Sequence, residues 1–204
     1  MKPRIAVLYY SMFGNTYLMA QGVCQGINEA GGEAVLMTVP ELLPEGVIKN
    51  DERIGNARKM QKDVPVARVA DLENVDGIVM GSPTRFGNMC SQMRNFWDQT
   101  GALWGKGTLI NKPAGVFCCT ASLHGGQETT LISMMFTLIH HGMLIVGVPY
   151  SVKELVESTR GGTPYGPTAV VGAGSDKAPA DMDLKIAGEL GKRVALIAAK
   201  LKSK

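Results

Sequence analysis

Short apolar runs alternate with amphipathic stretches along most of the chain. Ile5–Tyr10 is an unbroken apolar run and predicts a buried strand. Thr16–Ala30 then sets Met19, Val23 and Ile27 four apart, one stripe of a helix, and Gly31-Gly32 stops it. Glu33–Val39 predicts strand two. Asp76–Ser82 predicts strand three, after a short helix or turn at Ala70–Val75. Cys90–Gly101 predicts a helix with Met93, Phe96 and Trp97 on its apolar side. Ala114–Cys119 predicts strand four, Gln127–His141 a helix, and Met143–Val148 strand five. The last helix, Asp181–Lys202, puts Ile186, Leu190, Val194, Ile197 and Leu201 on one face. Strands alternating with helices predict an α/β, doubly wound, five-stranded parallel sheet with helices on both faces.

Two segments break the rhythm. Pro40–Ala67 is long and polar, with Pro40, Pro44 and Pro65, and predicts an irregular excursion with at most a short helix. Pro149–Pro167 is dense in Gly, Pro and polar residues, and is followed by the apolar run Ala169–Gly172. This predicts an insertion that splits the fifth strand. No repeat or linker divides the 204 residues, so residues 1–204 are expected to form a single domain.

The polar residues cluster after strand ends. Ser11-Met12-Phe13-Gly14-Asn15-Thr16 supplies two hydroxyls, an amide, a flexible glycine and the N–H groups of a helix start. Those are the parts of a phosphate site that needs no lysine, or simply of a capped strand-to-helix turn. Pro83-Thr84-Arg85-Phe86-Gly87-Asn88 follows strand three, and Thr120-Ala121-Ser122-Leu123-His124-Gly125 follows strand four. In a parallel sheet these loops gather at one edge, where ligands bind. Together they predict one site for a phosphorylated, flat, polar ligand.

Other chemistries find little support. Val170–Gly174 hints at a dinucleotide fingerprint, but Lys177 stands at the third glycine position. A phospho-receiver domain would need an aspartate where Gly81-Ser82 ends strand three. The four cysteines, Cys24, Cys90, Cys118 and Cys119, have no C-x-x-C spacing, and Cys118 and Cys119 would point to opposite faces of a strand. His140-His141 are adjacent on a helix and do not converge on a metal. The net charge of +3 is too weak for nucleic acid, and the tail Lys200–Lys204 reads as a helix-end cap. Apolar content of 45% comes with no run long enough for a membrane span or a signal-peptide core, so a cytoplasmic protein is expected.

Five motifs carry a resemblance. Tyr9–Thr16, Gly81–Met89, Asp98–Trp104, His140–Met143 and Arg160–Gly166 resemble, in order, those of the WrbA-type NAD(P)H:quinone oxidoreductases, a flavodoxin-like FMN protein family. The resemblance implies FMN, with NADH or NADPH as co-substrate. It implies two-electron reduction of quinones to hydroquinones by ping-pong hydride transfer through the flavin. The phosphate would sit in Ser11–Thr16, and Pro83–Gly87 with Thr120, Ala121, Ser122, His124 and Gly125 would hold the ring system. The resemblance also implies that His140 reaches the cofactor, that Trp104 flanks the substrate pocket, that Phe13 lies beside the nicotinamide, and that the protein is a homotetramer. The residues themselves leave Trp104 between loop and core, and His124 between a new acid and a solvent-facing residue. The alternatives are a flavodoxin-type electron carrier, disfavoured by the mild positive charge and Arg85, and a regulatory partner protein, for which no helix-turn-helix or basic stripe is visible.

Overall fold

A computed structural model describes residues 2–202. Arg4–Tyr9 (β1) pairs in parallel with Glu33–Thr38 (β2) and with Gly77–Arg85 (β3). β3 pairs with Pro113–Thr120 (which becomes β5 after the hairpin strand Asn88–Met89, β4). The far edge of β5 carries two short strands in succession: Leu144–Ile145 (β6) against Pro113 and Ala114, and Thr168–Val170 (β7) against Cys118 to Thr120. The order β2-β1-β3-β5-β6, with β7 beyond β6 on the same edge, is that of a flavodoxin-like sheet whose last strand is split by an insertion. The sheet has seven strands rather than the five expected, because the edge strand is in two pieces and β4 adds an antiparallel hairpin arm.

Helices cover both faces. Asn15–Glu29 (α1) and Asp181–Lys202 (α8) lie on one, and bury Met19, Val23, Ile27, Ile186, Leu190 and Val194 against Val7, Val79 and Phe117. These two helices touch backbone to backbone: a Cβ at Gly26 would overlap the Gly188 carbonyl. Leu201 is exposed rather than on the buried stripe, and Ala198 packs in its place. Ser91–Asp98 (α4) and Gln127–His140 (α6) cover the other face through Met93, Phe96, Trp97, Leu131, Met134 and Leu138. Cys118 and Cys119 fall in opposite core layers, as strand alternation requires.

Three other expectations are corrected. The helix predicted over Cys90–Gly101 ends at Asp98. The Thr100 hydroxyl donates to the Trp97 carbonyl (2.6 Å), and a second short helix, Gly101–Gly105 (α5), carries Trp104. The excursion holds two helices, Glu45–Asn50 (α2) and Glu52–Met60 (α3). Strand five shrinks to Leu144–Ile145, and the insertion after it contains the helix Lys153–Glu157 (α7). At the chain's end, Lys202 pairs with Asp76 (2.8 Å), while Ser203 and Lys204 of the predicted basic cap lie outside the described residues. No helix among the described residues is long and apolar enough to cross a membrane.

Candidate functional site

The strand ends of β1, β3 and β5 open on a cleft of about 220 Å³. Its first wall is Ser11, Met12, Phe13, Asn15 and Thr16. Gly14, which enters α1 with φ 90°, gives the helix no side-chain cap, and the first backbone bond of the helix runs from Leu18 N to the Gly14 carbonyl. The N–H groups of the first turn therefore face the loop with their donors open. The Ser11 hydroxyl is buried and has no partner. A buried hydroxyl left unpaired costs about 1–3 kcal/mol, so its position beside an open helix start marks a ligand's place. An anionic oxygen fits there, because the helix dipole favours negative charge at that end.

The second wall is Pro83, Thr84 and Arg85. These residues are the end of β3 rather than a loop. Phe86 (φ 52°) and Gly87 (φ 76°) form the two-residue turn back into β4, where both positions need positive φ. Arg85 is held by the Thr84 carbonyl (2.8 Å) and the Met12 sulfur (3.7 Å), and it makes no ion pair among the described residues. Its charge is thus free for the cleft. Thr84 is fixed by the Thr130 hydroxyl (2.8 Å) from α6. Phe86 projects fully into solvent at the hairpin tip, and Gly87 does not line the cleft.

The third wall is Cys119, Thr120 and Ala121. Burial pushes the Cys119 thiol up to about 12, against an opposing hydrogen bond from Thr16, so it is a packing group beneath the start of α1. The Thr120 hydroxyl donates to the Ser122 carbonyl (2.8 Å) and the Gly125 N–H to the same oxygen (3.1 Å), which curls the loop on itself. Ser122, Leu123 and His124 are exposed, and Ser122, His124 and Gly125 do not line the cleft. A fourth wall, Val171, Ala173 and Ser175, was not anticipated. It follows β7, and the Asn15 side chain donates to the Ser175 carbonyl (3.0 Å) to lock it to the first loop. The signal was its place after a strand segment, the same rule that found the other three.

Trp104 and His140 come together elsewhere. The Trp104 indole donates to the His140 carbonyl (2.9 Å), in a second cleft of about 660 Å³ between α4, α5 and α6. α6 starts beside the first cleft and runs 14 residues away from it, so His140 lies about 20 Å along. One chain does not bring these two residues to the cleft lined by Ser11 and Thr16. Trp104 is 61% exposed, which rules out core packing.

Beneath them, His141 is buried against Trp97, with ring centroids 5.2 Å apart, and its Nε2 lies 2.9 Å from the Thr100 hydroxyl. That hydroxyl already donates to the Trp97 carbonyl, so it accepts here and Nε2 carries the proton. Nδ1 is then a bare acceptor without a partner. Burial, then the neighbouring His140, holds the His141 pKa below its ordinary value.

The sheet order and the uncapped helix with its anion cradle define a flavodoxin-like FMN protein. A family model described as NADPH-dependent FMN reductase matches residues 3–155. The chain is 44% identical over 204 residues to an NAD(P)H dehydrogenase (quinone) of Solidesulfovibrio magneticus, covering 98% of this chain and 99% of that protein. It is 47% identical to one of Chromohalobacter salexigens, covering 97% and 98%. Among solved structures, a flavodoxin, WrbA-like protein from Agrobacterium tumefaciens superposes with a TM-score of 0.68 at 24% identity, covering 98% and 99%. An archaeal flavodoxin gives 0.61 at 18%, covering 96% and 99%. The chain belongs to the NADPH-dependent FMN reductase family.

Proposed function

We propose that the protein is an NAD(P)H:quinone oxidoreductase that holds one FMN per chain, in a single domain, and reduces quinones by two electrons. The observation that carries this reading is the unpaired Ser11 hydroxyl at the open start of α1, with the unpaired cation Arg85 across the same cleft. The relatives named NAD(P)H dehydrogenase (quinone) support the substrates. FMN, when bound, supplies the two-electron chemistry between nicotinamide and quinone.

The chain's own residues do the rest. Ser11, Asn15, Thr16 and the α1 N–H groups would hold the phosphate. Thr84, Arg85 and the backbone of Thr120 and Ala121 would hold the polar end of the ring, with Arg85 offsetting charge that gathers on reduction. Phe13, which lines the cleft, would flank the nicotinamide. A second copy would bring Trp104 and His140 over this cleft, since one chain leaves them in the other. Exposed Trp104, Phe136 and Ile139 on that face support assembly, as a homotetramer. The four free cysteines fit a reducing, cytoplasmic setting.

Donor and acceptor then use one open side of the cleft in turn. Initial rates with both substrates varied should give parallel double-reciprocal lines. Intersecting lines would mean that both substrates are bound at once, and would overturn the single-cleft reading.

A further inference from the structure

The excursion between β2 and β3 is not a decoration. Helix α3 lies directly on the phosphate loop. The Gln61 side chain, just past its end, donates to the Ser11 carbonyl (3.3 Å), and Met60 and Ala57 pack where Gly14 would carry a side chain. In its first turn, the Arg53 guanidinium sits over the Phe13 ring, 4.8 Å from the centroid. Its Nη1 donates to the Gly174 carbonyl (3.1 Å) on the fourth wall. Asp51 takes Nε (3.0 Å) and Nη2 (2.6 Å). Three N–H groups of the guanidinium are thereby used and two remain.

We propose that Arg53 is a specificity-determining residue for the nicotinamide substrate, receiving a phosphate of the dinucleotide at the mouth of the cleft. The inference rests on the function proposed above. Phe13 lines the cleft, where the proposed function sets it beside the nicotinamide, and Arg53, over the same ring, lies outside the cleft's lining. With its nicotinamide end in the cleft, the dinucleotide would carry its phosphates outward past Phe13. Arg53 is more than half exposed there, with two donors free. Its position is fixed beforehand by the Asp51 fork, the Gly174 carbonyl and the aromatic face, so little ordering is lost when an anion arrives. Arg85 stands in the cleft's own lining, bonded to the Thr84 carbonyl and the Met12 sulfur, whereas Arg53 lies outside that lining. Two phosphate sources share this chemistry: the pyrophosphate common to both nucleotides, and the 2′-phosphate of NADPH.

The test is anaerobic stopped-flow reduction of the FMN-loaded protein, wild type and Arg53→Ala, by NADH and by NADPH, with the quinone half-reaction and FMN affinity measured beside it. The apparent nucleotide dissociation constant should rise roughly tenfold, the scale of one charge-assisted hydrogen bond at a half-open site, with the limiting rate retained. An equal rise for both nucleotides assigns Arg53 to the pyrophosphate, and a rise for NADPH alone assigns it to the 2′-phosphate. An unchanged constant for both, or a loss shared equally by the quinone step and FMN affinity, would overturn the proposal and leave Arg53 a strap. If wild type itself is reduced by neither nucleotide, the proposed function falls, and this inference with it.

Discussion

Under the proposed function, Arg85 is the residue that would tune the redox character of the cleft. It lines the cleft without a carboxylate partner among the described residues, so its charge acts on whatever occupies the cleft. At ~4 Å and an effective dielectric of ~20, a cation stabilises a new negative charge by about 4 kcal/mol, and water at an open mouth reduces this to ~1–2 kcal/mol. Arg85→Ala should therefore lower the two-electron potential of bound FMN by roughly 20–45 mV, taking 30 mV as about 1.4 kcal/mol. An unchanged potential with intact FMN binding would mean that Arg85 serves structure alone. His141 makes a different kind of prediction. Its folded pKa lies below the ordinary 6.5, so the unfolded chain takes up the proton first as pH falls. Its contribution to stability is therefore complete above the unfolded value and is lost as pH falls from there through the lower folded value. Thermal melts from about pH 7.5 to about pH 5 should show a decline that flattens in His141→Asn. Equal slopes in both proteins would remove His141 from the account.

Among the elements, α1 and α8 show how closely sequence and packing agree. The spacing of Met19, Val23 and Ile27 names the buried stripe of α1, and the contact with α8 is possible because Gly26 has no side chain. Gly26→Ala should force the helices apart at a cost of ~1–3 kcal/mol, lowering the melting temperature by roughly 3–10 °C. A melting temperature equal to wild type would show that the helices slide at no cost. The strands were legible because each central one is an apolar run with turn residues at its end. The hairpin was not, because Pro83-Thr84-Arg85 reads as polar loop, while the pairing of Arg85 with Asn88 carries β3 three residues further. α3 was missed for a related reason. Only Ile54 and Ala57 are buried on it, and what starts it is the Asp51 carboxylate accepting from Arg53 N (3.0 Å), a local cap rather than an apolar period. The excursion is then tied down at Glu41. Burial would raise that carboxyl, but hydrogen bonds from Leu43 N, the Gln92 side chain, Tyr10 and Leu42 N outweigh it and hold the pKa down. No spacing rule joins Tyr10, Glu41 and Gln92. The first three walls of the cleft were visible as loops after strands. The fourth lies at the end of the split fifth strand, in a stretch that also reads as an incomplete dinucleotide fingerprint.

At the scale of the molecule, the residues that the resemblance gathers into one site are divided between two separate clefts. Ser11 to Thr16, Thr84 and Arg85 stand at the strand ends, and His140 stands about 20 Å down α6 with Trp104 of α5 bonded to its carbonyl. Assembly would reunite them across copies, and sedimentation at micromolar concentration should give four times the chain mass, with a monomer contradicting the assembly. The central claim is that the first cleft holds FMN for two-electron traffic between NAD(P)H and quinones. The most direct measurement is an anaerobic titration of the FMN-loaded protein, followed by absorbance. The account predicts that one equivalent of NADH or NADPH per FMN bleaches the flavin without a persistent one-electron form, and that one equivalent of benzoquinone restores it and yields hydroquinone. A protein that takes up no FMN, or one that halts at a stable one-electron form and passes nothing to the quinone, would contradict it.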